Sequence, residues 1–557
     1  MGTDFAHDLI FEAVVAGLPD VIARHLHEQV AMFVQAAQGE PARIAAHWEA
    51  AGQRERALPA LHAAAHRAHA ALRERERINF LLRAADIAEV AGDLTQAFEC
   101  VARAVDTHMN SIRQASGFSL LDRLDHLAQT PAQRCDALGQ RAWYCMQLTN
   151  VDAAVQHGEQ ALALAHNLGT DEGGVRLQCV IRQRLATALG MAGRFDDALA
   201  HFEVLLADAA AWQPVLGKAE QAELHDNFAV VLDNLGRTDE ASHQRNLAVA
   251  DAAAGGDLAQ QVSLLANHAV SRLTAGDVAQ AQSHVAQAQR VITTYEMRGS
   301  TVGFCAVLQM QCARALGHYG QALQAADVAV AELQASNPAR LPVVHLHLGH
   351  VWLDLGQFAR AHQAFMAAGE GHQLPAHFEA RRLLLQARLA RAQGGDEASA
   401  LLARAQATAP RTGWPEMALV VGCDIAATLT PGKALQLLAR SSQEAQRLGL
   451  KGAWLLALSH QAMRSKTTGA ALALQALQVL QLAQEVEPAL GYRAELRWQM
   501  ARVLAAAGQD ERAAQVLADV RNWVRERAAN TVPAPFVDSF LQRNAANRVL
   551  LGTGALK

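Results

Sequence analysis

Residues 189–206, Leu-Gly-Met-Ala-Gly-Arg-Phe-Asp-Asp-Ala-Leu-Ala-His-Phe-Glu-Val-Leu-Leu, contain the unit that this chain repeats. The stretch predicts the end of one helix, a turn at Gly193 and the start of a second helix. The small side chain of Ala198 lets the two helices pack closely, and Phe202 and Leu205 complete an apolar stripe. Because one such hairpin cannot bury its own stripe, copies of it must stack.

Copies of this unit are present along the chain, each marked by a glycine followed five residues later by an alanine. The steps between consecutive members from Gly193 to Gly356 are 43, 40, 41 and 39 residues, and the step from Gly52 to Gly92 is 40. A period of this kind predicts about a dozen stacked helix pairs. The eight pairs are Gly52/Ala57, Gly92/Ala97, Gly193/Ala198, Gly236/Ala241, Gly276/Ala281, Gly317/Ala322, Gly356/Ala361 and Gly508/Ala513.

A position that was not used to find the repeat supports its register. Seven residues before each turn glycine the side chain is small in seven of the eight copies, as a close helix contact requires. The eight residues are Ala45, Ala85, Ala186, Ala229, Ala269, Met310, Gly349 and Ala501. The copy at Gly317, with Met310, is the exception.

Composition favours helix and argues against nucleic acid and membrane as partners. Of 557 residues, 51% are hydrophobic and only 5% aromatic, and the net charge is −5. An acidic balance is unlike that of a nucleic-acid-binding domain, which usually carries a basic excess. The longest apolar run, from Met417 to Thr430, is interrupted by Asp424, so no membrane span is expected. Seven scattered cysteines are expected to be core residues in a reducing cytoplasm.

The repeat resembles the tetratricopeptide repeat in its longer form of about 40 residues. The shared features are the small residue, the glycine turn, an aromatic two residues later (Phe195, Tyr319, Phe358), the alanine and a bulky apolar residue such as Phe202 or Phe365. The resemblance covers nearly the whole chain. It implies an all-α fold, a right-handed α-solenoid of antiparallel helix hairpins, and it implies little about function because such repeats are scaffolds.

The first fifty residues resemble the junction that follows the ATPase and winged-helix portions of STAND-type bacterial transcriptional regulators. The matching motifs are Phe5, His7, Asp8, Leu9, Glu12 and Ala13 in one helix, and Ile44 to Gly52 in the next. The first motif begins inside an amphipathic pattern, as if cut from a longer chain. The resemblance implies an ATPase upstream in relatives, but Gly217-Lys218 and Gly432-Lys433 lack the other residues of a phosphate-binding loop.

Three segments are therefore predicted. Residues 1–50 form the helical junction and residues 51–524 the repeat superhelix. Residues 525–557 form a C-terminal cap, in which Phe536, Phe540 and Leu541 cover the apolar end of the stack.

No residue pattern predicts catalysis, a cofactor or a metal site. His62, His66 and His69 share one helix face but have no acidic or cysteine partner beside them, so an ordinary helix surface is the better interpretation. His345, His347 and His350 are spaced so that a helix directs their side chains to different faces. A structural role is therefore the better interpretation for them than a shared metal site. The motifs of zinc proteases, serine hydrolases, dinucleotide-binding folds and EF-hands are missing from the sequence.

The candidate binding residues lie nine positions before the turn glycines, where seven of the eight copies carry a polar side chain. Resemblance to tetratricopeptide repeats implies that this position faces a concave groove, where Arg and Asn donors can hold a peptide backbone or carboxylate. A merely solvated polar face is the open alternative. The candidates are Arg184, Asn227, Asn267 and His347.

The sequence thus predicts a non-enzymatic module for protein–protein interaction and signal sensing, resembling the regulatory arm of a STAND-type regulator. Its expected partners are a protein or peptide in the groove, or a small-molecule inducer, without direct contact to nucleic acid. The alternative is a free-standing scaffold that binds peptides in trans.

Overall fold

The computed structural model describes residues 18–71, 73–111, 115–148, 150–369, 374, 376–409 and 415–552. Within these ranges the regular structure is entirely helical, as the repeat predicts. The chain divides into two compact units, Met1–Leu216 and Gly217–Lys557. The junction residues from Phe5 to Ala13 lie outside the described residues, whereas Ile44 lies in a described helix of the first unit.

The first unit contains eleven described α-helices. They are α1 (Asp20–Ala36), α2 (Pro41–Ala50), α3 (Arg54–Ala70), α4 (Glu74–Ala91), α5 (Leu94–Ser111), α6 (Phe118–Leu127), α7 (Pro131–Gln147), α8 (Val151–Ala165), α9 (Glu172–Met191), α10 (Phe195–Ala207) and α11 (Ala209–Trp212).

The second unit continues the same alternation of first and second helices. Its described α-helices are α12 (Lys218–Asn234), α13 (Thr238–Gly255), α14 (Leu258–Ala275), α15 (Val278–Thr294), α16 (Ser300–Ala315), α17 (Tyr319–Ser336), α18 (Leu341–Asp354), α19 (Phe358–Gly369), α20 (Ala376–Gln393), α21 (Ala398–Thr408), α22 (Pro415–Ile425), α23 (Pro431–Arg447), α24 (Lys451–Arg464), α25 (Gly469–Glu485), α26 (Arg493–Ala506), α27 (Asp510–Asn530), α28 (Val537–Gln542) and α29 (Ala545–Leu551).

The turn glycines behave as the sequence predicts. All eight have a left-handed backbone, with φ between 68° at Gly356 and 90° at Gly276, a conformation that glycine adopts without strain. The alanine five residues after each glycine is fully buried in every copy, including Ala198 of the quoted stretch. The repeated small side chain therefore does mark the place where the two helices of a hairpin touch.

Side-chain caps fix where several second-unit helices begin. Asp257 accepts a hydrogen bond from the backbone N–H of Gln260 at 2.9 Å, and Asp277 accepts one from Gln280 at 3.0 Å. These aspartates follow the helix-ending glycines Gly256 and Gly276 directly. One short polar turn thus stops a helix and starts its partner.

The second unit folds back on itself, which the repeat pattern alone does not predict. The turn ends of α12/α13, α14/α15, α16/α17 and α18/α19 are covered by chain from residue 447 onward. A Cβ atom added at Gly236 would lie 2.2 Å from the carbonyl oxygen of Arg447, and one added at Gly356 would lie 2.4 Å from that of Ser539. The backbone N–H of Glu487 donates to the carbonyl oxygen of Gly276 at 3.0 Å.

The C-terminal segment takes part in this closure. Phe540 is fully buried, and its ring lies 5.5 Å from that of Tyr319 at the start of α17. Phe536 and Leu541 pack against the same core. Thr531 donates to the carbonyl oxygen of Gly317 at 2.7 Å. The C-terminal segment, which follows the last hairpin, therefore also covers turns within the second unit.

Candidate functional site

A chamber of about 450 Å³, partly open to solvent, lies in the second unit, between the carboxyl-terminal halves of five first helices and the amino-terminal half of a sixth, α26. Helices α16, α18, α20, α22, α24 and α26 all contribute to its wall, because the closure brings early and late hairpins together. The volume falls in the range of small-molecule sites. The charged and titratable side chains that line it are Arg314, His350, Asp354, Arg388, Arg391, Asp424, His460, Arg464, Tyr492 and Glu495.

One wall of the chamber is a buried ion pair between Arg314 and Asp354. Arg314 Nε lies 2.8 Å from Asp354 Oδ2, and Nη2 lies 3.1 Å from Oδ1. The remaining nitrogen, Nη1, donates to the carbonyl oxygen of Ala489 at 2.9 Å. The guanidinium fork is thus filled, and it connects two hairpins to the loop at 487–492.

A second buried pair repeats this arrangement two first helices further on, between α20 and α22. Arg388 Nε lies 2.8 Å from Asp424 Oδ2, and another nitrogen of Arg388 donates to the carbonyl oxygen of Leu490. Arg391 Nη2 lies 3.3 Å from Asp424 Oδ1. Burial alone raises the pKa of Asp424, but the charges of Arg388 and Arg391 outweigh burial and lower it. Asp424 is therefore an ionised anchor for two arginines.

Arg464 differs from the other chamber arginines because it has no acidic partner. Its Nη1 lies 3.2 Å from the carbonyl oxygen of His460 and 3.4 Å from His460 Nδ1, one helical turn earlier. Among the described side chains, no carboxylate forms an ion pair with it. Burial lowers the pKa of the Arg464 guanidinium, and burial also lowers the pKa of His460, to about 4. His460 is accordingly neutral at physiological pH.

Glu495 supplies a half-buried carboxyl group without a close cation. Gln499 Nε2 lies 3.4 Å from Glu495 Oε1, and Ser459 donates to Gln499 Oε1 at 3.1 Å. Burial raises the pKa of Glu495, opposed by the more distant charge of Arg391. This polar row lines the chamber wall beside Trp498.

The chamber is lined by more cationic than anionic side chains. Four arginines face the paired carboxylates of Asp354 and Asp424 and the half-buried carboxyl of Glu495, so cationic donors are in excess. The nearby thiol of Cys423 is buried, and burial raises its pKa, which keeps it protonated and unreactive. In the described ranges, no group of three or more His, Cys, Asp or Glu side chains could hold a metal ion. No helix in the same ranges is long and apolar enough to cross a bilayer.

Two of the residues predicted from the repeat register have unused donors. Arg184, in α9 of the first unit, lies over the ring of Trp143 at 5.8 Å, and its Nη1 is buried without a hydrogen-bond partner among the described residues. Asn227, in α12 of the second unit, is half-buried, and its Nδ2 is likewise buried without a partner within that part of the chain.

The other two predicted residues have different surroundings. Asn267, in α14, donates from Nδ2 to Asp226 Oδ2 at 2.8 Å. His347, in α18, is only 8% exposed, and burial lowers its pKa well below 6.5. None of the four predicted residues lines the chamber.

The chamber residues lie nearer the turns than the register used in the sequence analysis. Arg314 stands three residues before Gly317, and Asp354 stands two residues before Gly356. A signal for them does exist, because each is the one Asp, Glu, Lys or Arg residue of its first helix and lies in the last turn. Asp424 is the clearest case, since it interrupts the longest apolar run of the chain.

Comparison with known proteins gives structural similarities alone. No family model matches the chain, and no curated protein matches its sequence. A Rap protein complexed with competence and sporulation factor is 13% identical and has a TM-score of 0.41, the match covering 68% of this chain and 99% of that one. The apo form of RapI is 11% identical, with a TM-score of 0.40 and coverage of 67% and 97%. Yeast Tom70 is 12% identical, with a TM-score of 0.30 and coverage of 85% and 96%. The solenoid assignment rests on the hairpins of this chain itself.

Proposed function

We propose that this chain is a non-enzymatic helical-repeat module for signal sensing and protein–protein interaction, acting in the cytoplasm as the regulatory arm of a STAND-type regulator. The observation that carries the proposal is the chamber, in which polar groups from six first helices converge. A ligand there would touch both the early and the late hairpins of the second unit. Ligand binding would therefore favour one closure of that unit over another, which is the physical basis of a population shift.

The loop at 487–492 is the proposed route by which occupancy is transmitted. Two of its carbonyl oxygens, at Ala489 and Leu490, accept hydrogen bonds from chamber arginines. The backbone N–H of Glu487, at the start of the loop, donates a hydrogen bond to the carbonyl oxygen of Gly276. A ligand that competes for the arginines would loosen this loop, and a ligand that extends the network would tighten it.

A protein or peptide partner is proposed to bind through the residues predicted from the repeat register, which are Arg184 in the first unit and Asn227, Asn267 and His347 in the second. The buried donors of Arg184 and Asn227 without partners support this part of the proposal. Buried donors left unpaired cost free energy, so a carbonyl or carboxylate that satisfied them would gain it.

Hydrogen exchange tests the sensing role. The full chain is incubated with and without the dialysable small molecules of a cell extract, and exchange is followed in residues 487–492. Ala392 is exposed at the rim of the chamber, so Ala392→Trp obstructs access without altering the core. Ala403→Trp, on the exposed face of α21, is the matched control. We expect the extract to change exchange in the wild type and the control but not in Ala392→Trp. The sensing role is refuted if the extract changes exchange equally in all three proteins, or if it changes exchange in none of them.

A pull-down tests the partner surface separately. The wild type and the double variant Asn227→Ala with Asn267→Ala serve as baits in a lysate of the source organism. Loss of a specific protein from the variant supports the surface, and unchanged recovery of every bound protein refutes it.

A further inference from the structure

The chamber also carries an inference about the chemistry of its ligand, which rests on the sensing role proposed above. We infer that the chamber takes a small organic anion, whose carboxylate or phosphate group binds the guanidinium groups of Arg464 and Arg391.

The charge of the chamber favours an anion. Arg314 and Arg388 are each matched by one carboxylate, Asp354 and Asp424 respectively. Arg391 only shares Asp424, through a single contact at 3.3 Å. Arg464 has no carboxylate within ion-pair distance among the described residues. A partly buried cation without a counter-charge is unfavourable, so a negatively charged ligand group is the partner that relieves the cost.

The donors that remain free belong to the same two arginines. The forks of Arg314 and Arg388 are occupied by a carboxylate and a backbone carbonyl each. Arg464 bonds only to His460 on its own helix, and the side chain of Arg391 is 46% exposed at the rim. Guanidinium groups bind carboxylates and phosphates through paired, charge-assisted hydrogen bonds. The unoccupied donors of Arg391 and Arg464 therefore favour this ligand chemistry.

The volume and the remaining wall define the rest of the ligand. A space of about 450 Å³ admits a small molecule and excludes a folded partner. Leu456, Met463 and Trp498 supply an apolar surface for a hydrocarbon part. Glu495 and Gln499 lie on the wall as hydrogen-bonding groups for a hydroxyl or an ammonium. The expected ligand is thus an anion with an apolar body and a second polar group.

Calorimetric titration of the full chain at constant ionic strength provides the test. The probes are succinate, inorganic phosphate and the uncharged succinamide, with chloride as the ionic-strength control. We expect succinate or phosphate to bind and succinamide not to bind. Succinate alone would identify a carboxylate ligand, and phosphate alone a phosphate ester. Absence of binding by both anions, or equal binding of succinamide, overturns the inference.

Variants locate the anion. Arg464→Gln and, independently, Arg391→Gln should each weaken the apparent affinity by about tenfold to a hundredfold, as expected for loss of a charge-assisted hydrogen bond. Arg391 is partly exposed, so its variant remains informative if Arg464→Gln fails to fold. Arg404→Gln, on the exposed face of α21, is the matched control and should bind as the wild type does. Unchanged affinity in both chamber variants overturns the inference.

The two proposals fail separately. If extract changes hydrogen exchange in 487–492 but no anion binds, the anion inference is wrong and the sensing role stands. If anions bind but exchange in 487–492 never changes, the inference stands and the sensing role is wrong.

Discussion

Ser539 donates a hydrogen bond from Oγ to the carbonyl oxygen of Leu355 at 2.7 Å, although 184 residues separate the two in sequence. Gln357 donates to the same hydroxyl, also at 2.7 Å. The contact fastens the C-terminal segment to the turn of α18/α19, and it leaves no room for a side chain at Gly356.

Replacing Gly356 should therefore cost more than replacing an equivalent turn glycine. Gly508→Ala has open space around its Cβ and should lose about 1–2 kcal/mol from left-handed strain alone. Gly356→Ala should lose about 1–3 kcal/mol more, because its Cβ also meets Ser539. Hydrogen exchange of residues 531–545 is the measurement. Equal exchange there in the two variants would contradict the packing described for this turn.

Removing the charge of Asp354 from its buried pair with Arg314 should destabilise the second unit strongly. Asp354→Asn leaves Arg314 buried without its counter-charge, and loss of one partner from such a pair costs about 3–5 kcal/mol. Glu444→Gln breaks an exposed pair with Arg447 and should cost less than about 1 kcal/mol. Urea unfolding monitored in segments of the second unit distinguishes the two. A loss of similar size in both variants would show that the Arg314 pair does not hold the unit closed.

Acid should weaken the second unit through His268. The pKa of His268 is lowered from 6.5 to about 3. Burial is the largest cause, and the charge of the neighbouring His284 is the second. The two rings are stacked 3.8 Å apart. Between pH 6.5 and 3 the unfolded chain binds a proton at this site that the folded chain does not, so stability falls as pH falls, by at most about 1.4 kcal/mol per pH unit for one proton.

The variant His268→Gln should flatten this dependence. Unfolding midpoints measured from pH 7 to 5 should fall less steeply in His268→Gln than in the wild type. His66→Gln, at an exposed position of the first unit, should retain the wild-type slope. Equal slopes in all three proteins would mean that His268 takes up its proton equally in both states.

The cysteine thiols should be unreactive until the chain unfolds. All seven are buried and unpaired. Burial raises the pKa of Cys100 and of Cys179 to about 11 and that of Cys305 to about 12, which leaves very little thiolate at neutral pH. A thiol-specific chromogenic reagent should give little signal with native protein and seven equivalents in denaturant. Rapid reaction of any native thiol would show that its burial is transient.

Local features of the fold could be predicted from the sequence because they depend on residues that lie within one repeat. The left-handed glycines and the buried alanines follow from contacts within one hairpin, as Gly193 and Ala198 illustrate. The closure of the second unit could not be predicted in this way. It depends on pairs such as Arg388 with Leu490 and Ser539 with Leu355, which lie 102 and 184 residues apart and leave no period in the sequence.

The chamber escaped prediction for the same reason. The register nine residues before each glycine assumes a groove along the middle of the first helices, whereas the chamber collects the carboxyl-terminal halves of five first helices and the amino-terminal half of α26. Arg464 alone is an ordinary helix-ending cation. Its importance depends on Arg391 and Glu495, which only the folded unit brings to the same wall. The assignment of Arg184, Asn227, Asn267 and His347 stays a prediction.

The closure also limits how this chain can change during evolution. An open stack of repeats tolerates duplication or loss of a unit, because each unit contacts only its neighbours. Here the turns at Gly236, Gly276, Gly317 and Gly356 each meet a particular later segment. Inserting or deleting one hairpin between residues 217 and 545 would misalign every subsequent meeting point at once. We therefore expect relatives that retain the chamber to keep the same number of hairpins in this unit, with length variation confined to loops.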